Sequence, residues 1–254
     1  MHKILFFVII TFSLLPMSYS YGFSEKSQDC SKCHTLAKDE ASTLLKDMAP
    51  NLKVIDIKTI PVKGMWEVDI DAGGKKGLLY VDFSKKYLIS GAVVSIKDKK
   101  NLTQKRLTEL NKVDVSKIPL DDALVIGNKD AKHRVIVFDD PDCPFCAKLH
   151  QEMKKVIEKR KDIAFYIKMF PLKIHPEAYE KSKAIVCEKS LTLLEDAFEK
   201  KQLPKPKCET SAIDDNLKLG EKLGISGTPA LIMPDGRVIS GYKEADAIID
   251  LVGN

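Results

Sequence analysis

After its first twenty residues the sequence has no apolar run long enough to cross a bilayer, and it has no internal repeat and no low-complexity tract. It therefore offers no later membrane-spanning helix and no solenoid or coiled-coil array. It also lacks a strong charge of either sign. Without residues 1–20, which hold one lysine and no acid, 40 basic residues face 36 acidic ones, a formal balance of +4. That is too little to indicate nucleic acid or an anionic membrane as a partner. Nor is there a second tightly spaced Cys/His pair downstream of the two C-x-x-C motifs to complete a zinc site of the usual kind.

What is present begins with a leader. Met1 to Ser20 carries Lys3 in a short basic start, an apolar run from Ile4 to Leu15 closed by Pro16, and Ser18-Tyr19-Ser20 as a small-x-small cleavage site. The mature chain of 234 residues would begin near Tyr21 and is long enough for two domains. All six cysteines lie in that mature part, an even count that suits an oxidising compartment.

The hydrophobic pattern changes character along the chain. Ala41, Leu44, Leu45 and Met48 recur at helical spacing between Lys38 and Met48. Trp66, Val68 and Ile70 then alternate with Glu67, Asp69 and Asp71, predicting a strand with one face in water. Gly73-Gly74-Lys75-Lys76-Gly77 reads as a turn, Leu78 to Phe83 as a second strand, and Tyr87 to Ile96 as a third. A connecting helix follows over Asn101 to Asn111, and Asn101-Leu102-Thr103 reads as its cap rather than as a glycan acceptor. From about Leu120 strands and helices alternate. Val135 to Phe138 is a strand apolar on both faces, and Ile163, Phe165, Ile167 and Met169 mark another. Glu177 to Lys200 is predicted as one helix, two strands flank Pro234-Asp235-Gly236, and Glu244 to Val252 is a closing amphipathic helix.

The chemistry concentrates at Cys143-Pro144-Phe145-Cys146. The motif sits between that buried strand and a helix marked by Phe145, Leu149, Met153, Val156 and Ile157, so Cys143 falls at a helix N-terminus. There, unpaired backbone N–H groups and the positive end of the helix dipole stabilise a thiolate, and a proline in the first turn sacrifices no hydrogen bond. Cys143 is the candidate nucleophile and Cys146, one turn deeper, the resolving thiol. Asp139, Asp140 and Asp142 crowd the approach with negative charge, which works against the dipole. His150 reads as a residue of the helix surface. In Gly227-Thr228-Pro229-Ala230, Pro229 stands at the start of a buried strand, where an X-Pro bond can be cis and where the Thr228 backbone could pair with an extended peptide, an ordinary turn proline being the alternative. Cys187 and Cys208 bracket a helix and a proline-rich loop with no thiolate-stabilising context. They read as a structural disulfide that contributes on the order of 3 kcal/mol through the unfolded chain, a second shuttle pair being the alternative.

Cys30-Ser31-Lys32-Cys33-His34 is a separate motif. C-x-x-C-H is the attachment pattern for c-type haem, with the histidine on iron and a distal ligand to be found at Met48, Met65, another histidine or a partner subunit. The alternatives are an accessory disulfide and a dithiol that exchanges with the first.

Taken together, Pro61 to Met65 before the small sheet, F-D-D-P-D-C-P-F-C-A-K-L-H around the dithiol, the Cys187/Cys208 pair, and G-I-S-G-T-P-A with its downstream Pro-Asp-Gly turn and Gly241-Tyr242 resemble the bacterial periplasmic thiol:disulfide interchange proteins of the DsbC/DsbG family. The resemblance implies a two-domain α+β and α/β chain. Residues 1–20 would be the signal peptide, 21–37 an N-terminal arm with C-x-x-C-H, 38–100 a cystatin-like antiparallel-sheet dimerisation domain, 101–119 a linker helix, and 120–254 a thioredoxin-like catalytic domain with a helical insertion. It further implies a periplasmic homodimer whose dithiols face an uncharged cleft holding misfolded disulfide-containing clients. Catalysis by Cys143, a cis Pro229 preceded by Thr228, a membrane reductant of the DsbD type and no required cofactor complete the expectation. Pro144-Phe145 departs from the family's usual dipeptides, and the Cys30 to His34 arm is additional. Beside the disulfide isomerase and reductase stand a haem-bearing thiol-redox electron carrier, a DsbA-like thiol oxidase and a holdase.

Overall fold

The structure is a computed structural model, and it describes residues 33–48 and 50–253. The leader at residues 1–20 and Cys30 lie outside the described residues.

The N-terminal unit is built on four antiparallel strands in the order β1-β2-β3-β4: β1 Leu52–Thr59, β2 Met65–Ala72, β3 Lys75–Asp82 and β4 Leu88–Ile89. Helix α1, Lys38–Lys46, lays Ala41 and Leu45 on one face of this sheet against Val54, Trp66, Val68, Ile70 and Val81. The opposite face is not in water, contrary to the expectation from alternation. Helix α2, Leu102–Leu110, covers it, and Glu67 and Asp69 are buried beneath Arg106, whose guanidinium bonds Asp69 and lies 3.3 Å from Glu67. Carboxylates read as solvated are thus paired under a helix that arrives more than thirty residues later. Strand β1 has no counterpart in the sequence prediction, because Lys53, Asp56 and Lys58 break up its apolar pattern. The predicted strand from Tyr87 to Ile96 shrinks to Leu88–Ile89 plus a bridge between Val94 and Asn101.

Asn101 caps α2 by accepting the Gln104 N–H at 2.8 Å. The chain then crosses to the second unit, where the Val113 N–H donates to the Gly236 carbonyl at 2.9 Å and Lys112 pairs with Asp235 at 3.2 Å. The linker is therefore held by the Pro-Asp-Gly turn.

The second unit is a five-stranded sheet in the order β5-β7-β6-β8-β9, with β5 Leu124–Ile126, β6 His133–Asp139, β7 Ile163–Met169, β8 Ala230–Ile232 and β9 Val238–Ser240. Only β6 and β7 run parallel. Val135 and Val137 face a core made with Leu149, Met153 and Val156 of α3, Pro144–Lys159, and with Ile248 of α7, Ala245–Val252. Ile136 and Phe138 face the other core, with Ile118, Phe170 and Ile225. β7 is buried along its whole length, including Lys168, whose ammonium bonds Asp122 and the Pro119 carbonyl.

The helix predicted over Glu177 to Lys200 is two helices, α4 Ala178–Glu188 and α5 Leu191–Phe198. The break falls at Lys189, which takes left-handed φ and ψ of 46° and 42°, and Ser190 caps α5 by accepting the Leu193 N–H. A further helix, α6 Ala212–Lys222, precedes the loop to β8.

Candidate active site

β6 ends at Asp139, and four residues later the chain turns into α3. Cys143 occupies the cap position in extended conformation and Pro144 opens the helix. The Cys143 carbonyl accepts the Cys146 and Ala147 N–H groups at 3.1 and 3.2 Å, which locks the two cysteines into the first turn. Both are thiols in this structure. Cys143 keeps 5% of its surface exposed and Cys146 none, while Phe145 between them is 55% exposed.

The two sulfurs differ sharply in acidity. The Cys146 thiol hydrogen-bonded to Cys143 is the largest influence on it and outweighs burial. With help from the Thr228 side chain and the backbone N–H groups of Cys146 and Phe145, it brings Cys143 from 9.0 to about 5. Cys146 moves the opposite way, pushed up by burial, by its neighbour and by Asp139. The dithiol thus has one sulfur ionised at neutral pH and one held protonated.

The three aspartates do different things. Asp139 is fully buried and its carboxyl is raised to about 7, chiefly by burial and partly offset by the nearby Cys146 thiol. One of its oxygens accepts the Asp140 N–H at 3.1 Å; the other has no partner among the described residues. Asp140 is buried as well and acts as a tie, accepting the Asp142 N–H at 2.7 Å, the Leu172 N–H at 2.7 Å and His175 at 2.8 Å. Asp142 is neutralised by Lys181 at 2.8 Å and Lys200 at 3.6 Å. The negative charge expected to oppose the helix dipole is therefore paired, or falls on Cys146 instead of Cys143. The surface beside the dithiol is charged but locally balanced. His175, Lys181 and Lys200 escape sequence reading, since they come from loops and helix faces with no local signal.

His150 corrects another expectation. It is fully buried and not on the surface, packed near Phe198 and 3.0 Å from Glu195 of α5, with burial lowering its basicity.

Across from the dithiol the Thr228–Pro229 bond is cis. The Cys143 sulfur lies 3.6 Å from the Thr228 carbonyl oxygen, so this loop and the dithiol meet. The Thr228 N–H makes no hydrogen bond to any described group. Cys187 and Cys208 form a disulfide at the end of α4, with Cα atoms 5.6 Å apart. Cys33 and His34 are exposed on the N-terminal unit and take no part in this site.

Residues 120–254 match the family model for a thioredoxin-like domain, and residues 34–104 match that for the disulfide bond isomerase protein N-terminal domain. The thiol:disulfide interchange protein DsbC of Salmonella typhimurium is 32% identical over 77% of this chain and 80% of its own length. That of Escherichia coli K12 is 28% identical over 91% and 90%. A probable DsbC of Bordetella avium is 27% identical over 75% of this chain, and the match spans 66% of its length. Among solved structures, the disulfide interchange protein from Neisseria gonorrhoeae aligns over 53% of this chain and 96% of its own, with 31% identity and a TM-score of 0.46.

Proposed function

Because the chain belongs to the DsbC family of thiol:disulfide interchange proteins, we propose that it is an exported, periplasmic protein disulfide isomerase and reductase acting through Cys143. What supports this reading is the placement of Cys143 at the cap of α3, against the cis Thr228–Pro229 loop, where the Cys146 thiol and the backbone N–H groups of the first turn hold its sulfur well below the usual thiol range. The thiolate attacks one sulfur of a client disulfide; a new S–S bond forms to Cys143 and the other client sulfur leaves as thiolate. A client thiolate can then attack the mixed disulfide and release Cys143, which is isomerisation. Alternatively Cys146 attacks it, the client leaves reduced, and Cys143–Cys146 becomes a disulfide.

For the second route Cys146, fully buried, must lose its proton inside the core. The Asp139 carboxyl, beside that thiol and near 7, is the acceptor within reach. The Thr228 backbone, free on its N–H side, supports an extended client strand through main-chain bonds, which makes recognition sequence-tolerant. A membrane thiol reductant of the DsbD type returns the dithiol to its working form, and the catalytic steps require no cofactor. The active species is a homodimer joined through the N-terminal sheet. Among the described residues no helix is long and apolar enough to cross a membrane.

The test is refolding of a scrambled multi-disulfide substrate. Cys143→Ala abolishes rescue, whereas Cys146→Ala retains isomerisation and loses net reduction; full activity in the Cys143→Ala protein refutes the assignment. One observation favours a second reading. A thiol as acidic as Cys143 stabilises the reduced pair and so makes the disulfide form a ready oxidant, as a thiol oxidase requires. Acid trapping and alkylation in cells separates the two: a mostly reduced pair supports the isomerase, and a mostly oxidised pair the oxidase.

A further inference from the structure

We propose that His175 is a positioning residue for the dithiol, acting through the buried Asp140 carboxylate to hold the turn that delivers Cys143 to the mouth of α3. This deepens the reading of Cys143 as the nucleophile and rests on it.

Asp140 joins two segments that leave neighbouring strands. On the β6 side its Oδ1 accepts the Asp142 N–H at 2.7 Å, and its main-chain carbonyl accepts the Cys143 N–H at 3.1 Å. On the β7 side its Oδ2 accepts the Leu172 N–H at 2.7 Å and meets His175 Nδ1 at 2.8 Å. A carboxylate has only acceptors, so Nδ1 is the donor. Of the three groups that bond this carboxylate among the described residues, two are backbone N–H groups that almost any residue would supply. The third is the His175 side chain, and it is where this sequence specifies the contact.

His175 is itself fixed at both ends. Its N–H donates to the Leu172 carbonyl at 2.9 Å, and its carbonyl accepts the Ala178 N–H at 3.1 Å where α4 begins. In the first turn of that helix Lys181 pairs with Asp142 at 2.8 Å. The short loop from Asp140 to Cys143 is therefore gripped twice by one continuous segment, at Asp140 by His175 and at Asp142 by Lys181. The Asp140 side chain is fully buried and that of His175 is 21% exposed. Water competes little for a bond so enclosed, which makes its loss consequential.

What the grip protects is geometry. The Cys143 sulfur depends on short-range partners, the Cys146 thiol first and then Thr228 and the N–H groups of Cys146 and Phe145. Hydrogen bonds weaken steeply as distances lengthen and angles bend. A cap residue that swings away from its helix gives up part of that support.

The test compares His175→Phe, which keeps a planar ring and removes the donor, with His175→Asn, whose Nδ2 can take the place of Nδ1. Asp142, Lys181 and Lys200 are left as they are. For the reduced full chain in each form, Cys143 alkylation is followed against pH by mass spectrometry of its peptide. The Cys143–Cys146 pair is equilibrated with glutathione to give its potential, and Tm is recorded. In the unsubstituted protein the alkylation midpoint lies at about 5. In His175→Phe it should rise by roughly one pH unit, the ordinary spread that local surroundings impose on a titrating side chain, and the pair should become less oxidising. His175→Asn should restore both. A structural brace would lower Tm and leave midpoint and potential in place. A folded His175→Phe protein with the unsubstituted profile therefore overturns the proposal, as does an Asn variant shifted as far as the Phe one. Should His175→Phe not fold, His175→Gln, whose amide lies one bond further out, takes its place with the same shift expected. These outcomes leave the reading of Cys143 standing, whereas a midpoint near 9.0 in the unsubstituted protein overturns both together.

Discussion

Cys143 and Asp139 are best understood as two ends of one proton and charge arrangement around Cys146. The acidity of Cys143 comes first from the Cys146 thiol, and burial, Cys143 and Asp139 together make Cys146 hard to deprotonate. Alkylation of Cys143 should follow a titration with its midpoint at about pH 5, far below the 9.0 of an ordinary thiol. Because its folded value is depressed, the stability it gives the reduced protein is complete above pH 9 and lost as pH falls through 5. Denaturant midpoints of the reduced protein and its Cys143→Ala variant should therefore converge at acid pH, and divergence there would contradict the assignment.

Asp139 has the opposite sign. A carboxyl raised from 3.8 to about 7 favours the fold when protonated, and that advantage disappears as pH rises through 7. Asp139→Asn should raise stability above pH 7 by on the order of a few kcal/mol. It should also slow resolution of the mixed disulfide by Cys146 by about 10²-fold, the ordinary scale of general base catalysis. Stopped-flow resolution of a trapped mixed disulfide together with urea unfolding at pH 8 measures both, and unchanged resolution would remove Asp139 from the proton path. At this scale the two cysteines were legible from their spacing between a buried strand and a helix, and Thr228 and Pro229 only through the family resemblance. The partners were not: His175, Lys181 and Glu195 reach their places from 35 or more residues away along the chain, and no local pattern encodes that. The same reason made His150 look like a surface residue.

Secondary elements were legible where one apolar period runs uninterrupted. α3, β6, β7, β8, β9 and α7 fall close to the sequence reading because their cores are continuous. Where local chemistry competes, the pattern misled. The apolar spacing of Glu177 to Lys200 spans two helices, and only Ser190 signals the cap between them. α6 packs on the sheet through a contact that its polar sequence hides. Gly220 in this helix lies against Phe170, and a Cβ there would stand 2.2 Å from the ring. Gly220→Ala ordinarily gains helix propensity. Here the overpacking should prevail, destabilising the domain by about 1–3 kcal/mol and displacing the segment that carries Phe170 and Leu172, whose N–H is held by Asp140. Thermal unfolding and the Cys143 alkylation rate check this: Tm falls, and alkylation changes with it. An unchanged or raised Tm would show that Phe170 moves aside at no cost.

At the scale of the whole molecule the question is what covers the free edge of the N-terminal sheet. The two edges are treated differently by the sequence. β1 carries Lys53, Asp56 and Lys58, charges that discourage further pairing. The other edge, β4 and the residues after it from Tyr87 to Ile96, contains no charged residue at all, and Tyr87, Ile89, Val94 and Ile96 are exposed, Ile96 by 96%. An uncharged apolar margin on an open edge is a pairing surface, and in a homodimer a second copy of the same margin would cover it. Two domains tied by a linker pinned at Gly236 would then hold two Cys143 thiolates in one assembly. Ile89→Lys combined with Ile96→Lys should convert the dimer to a monomer by sedimentation equilibrium. Cys143 acidity and simple disulfide reduction, which depend only on the second unit, should be unaffected. Isomerisation of a scrambled substrate should fall, because a client must be retained between successive attacks and a lone thiolate releases it sooner. A variant that stays dimeric would place the interface elsewhere, and a monomer with full isomerase activity would show that one dithiol is sufficient.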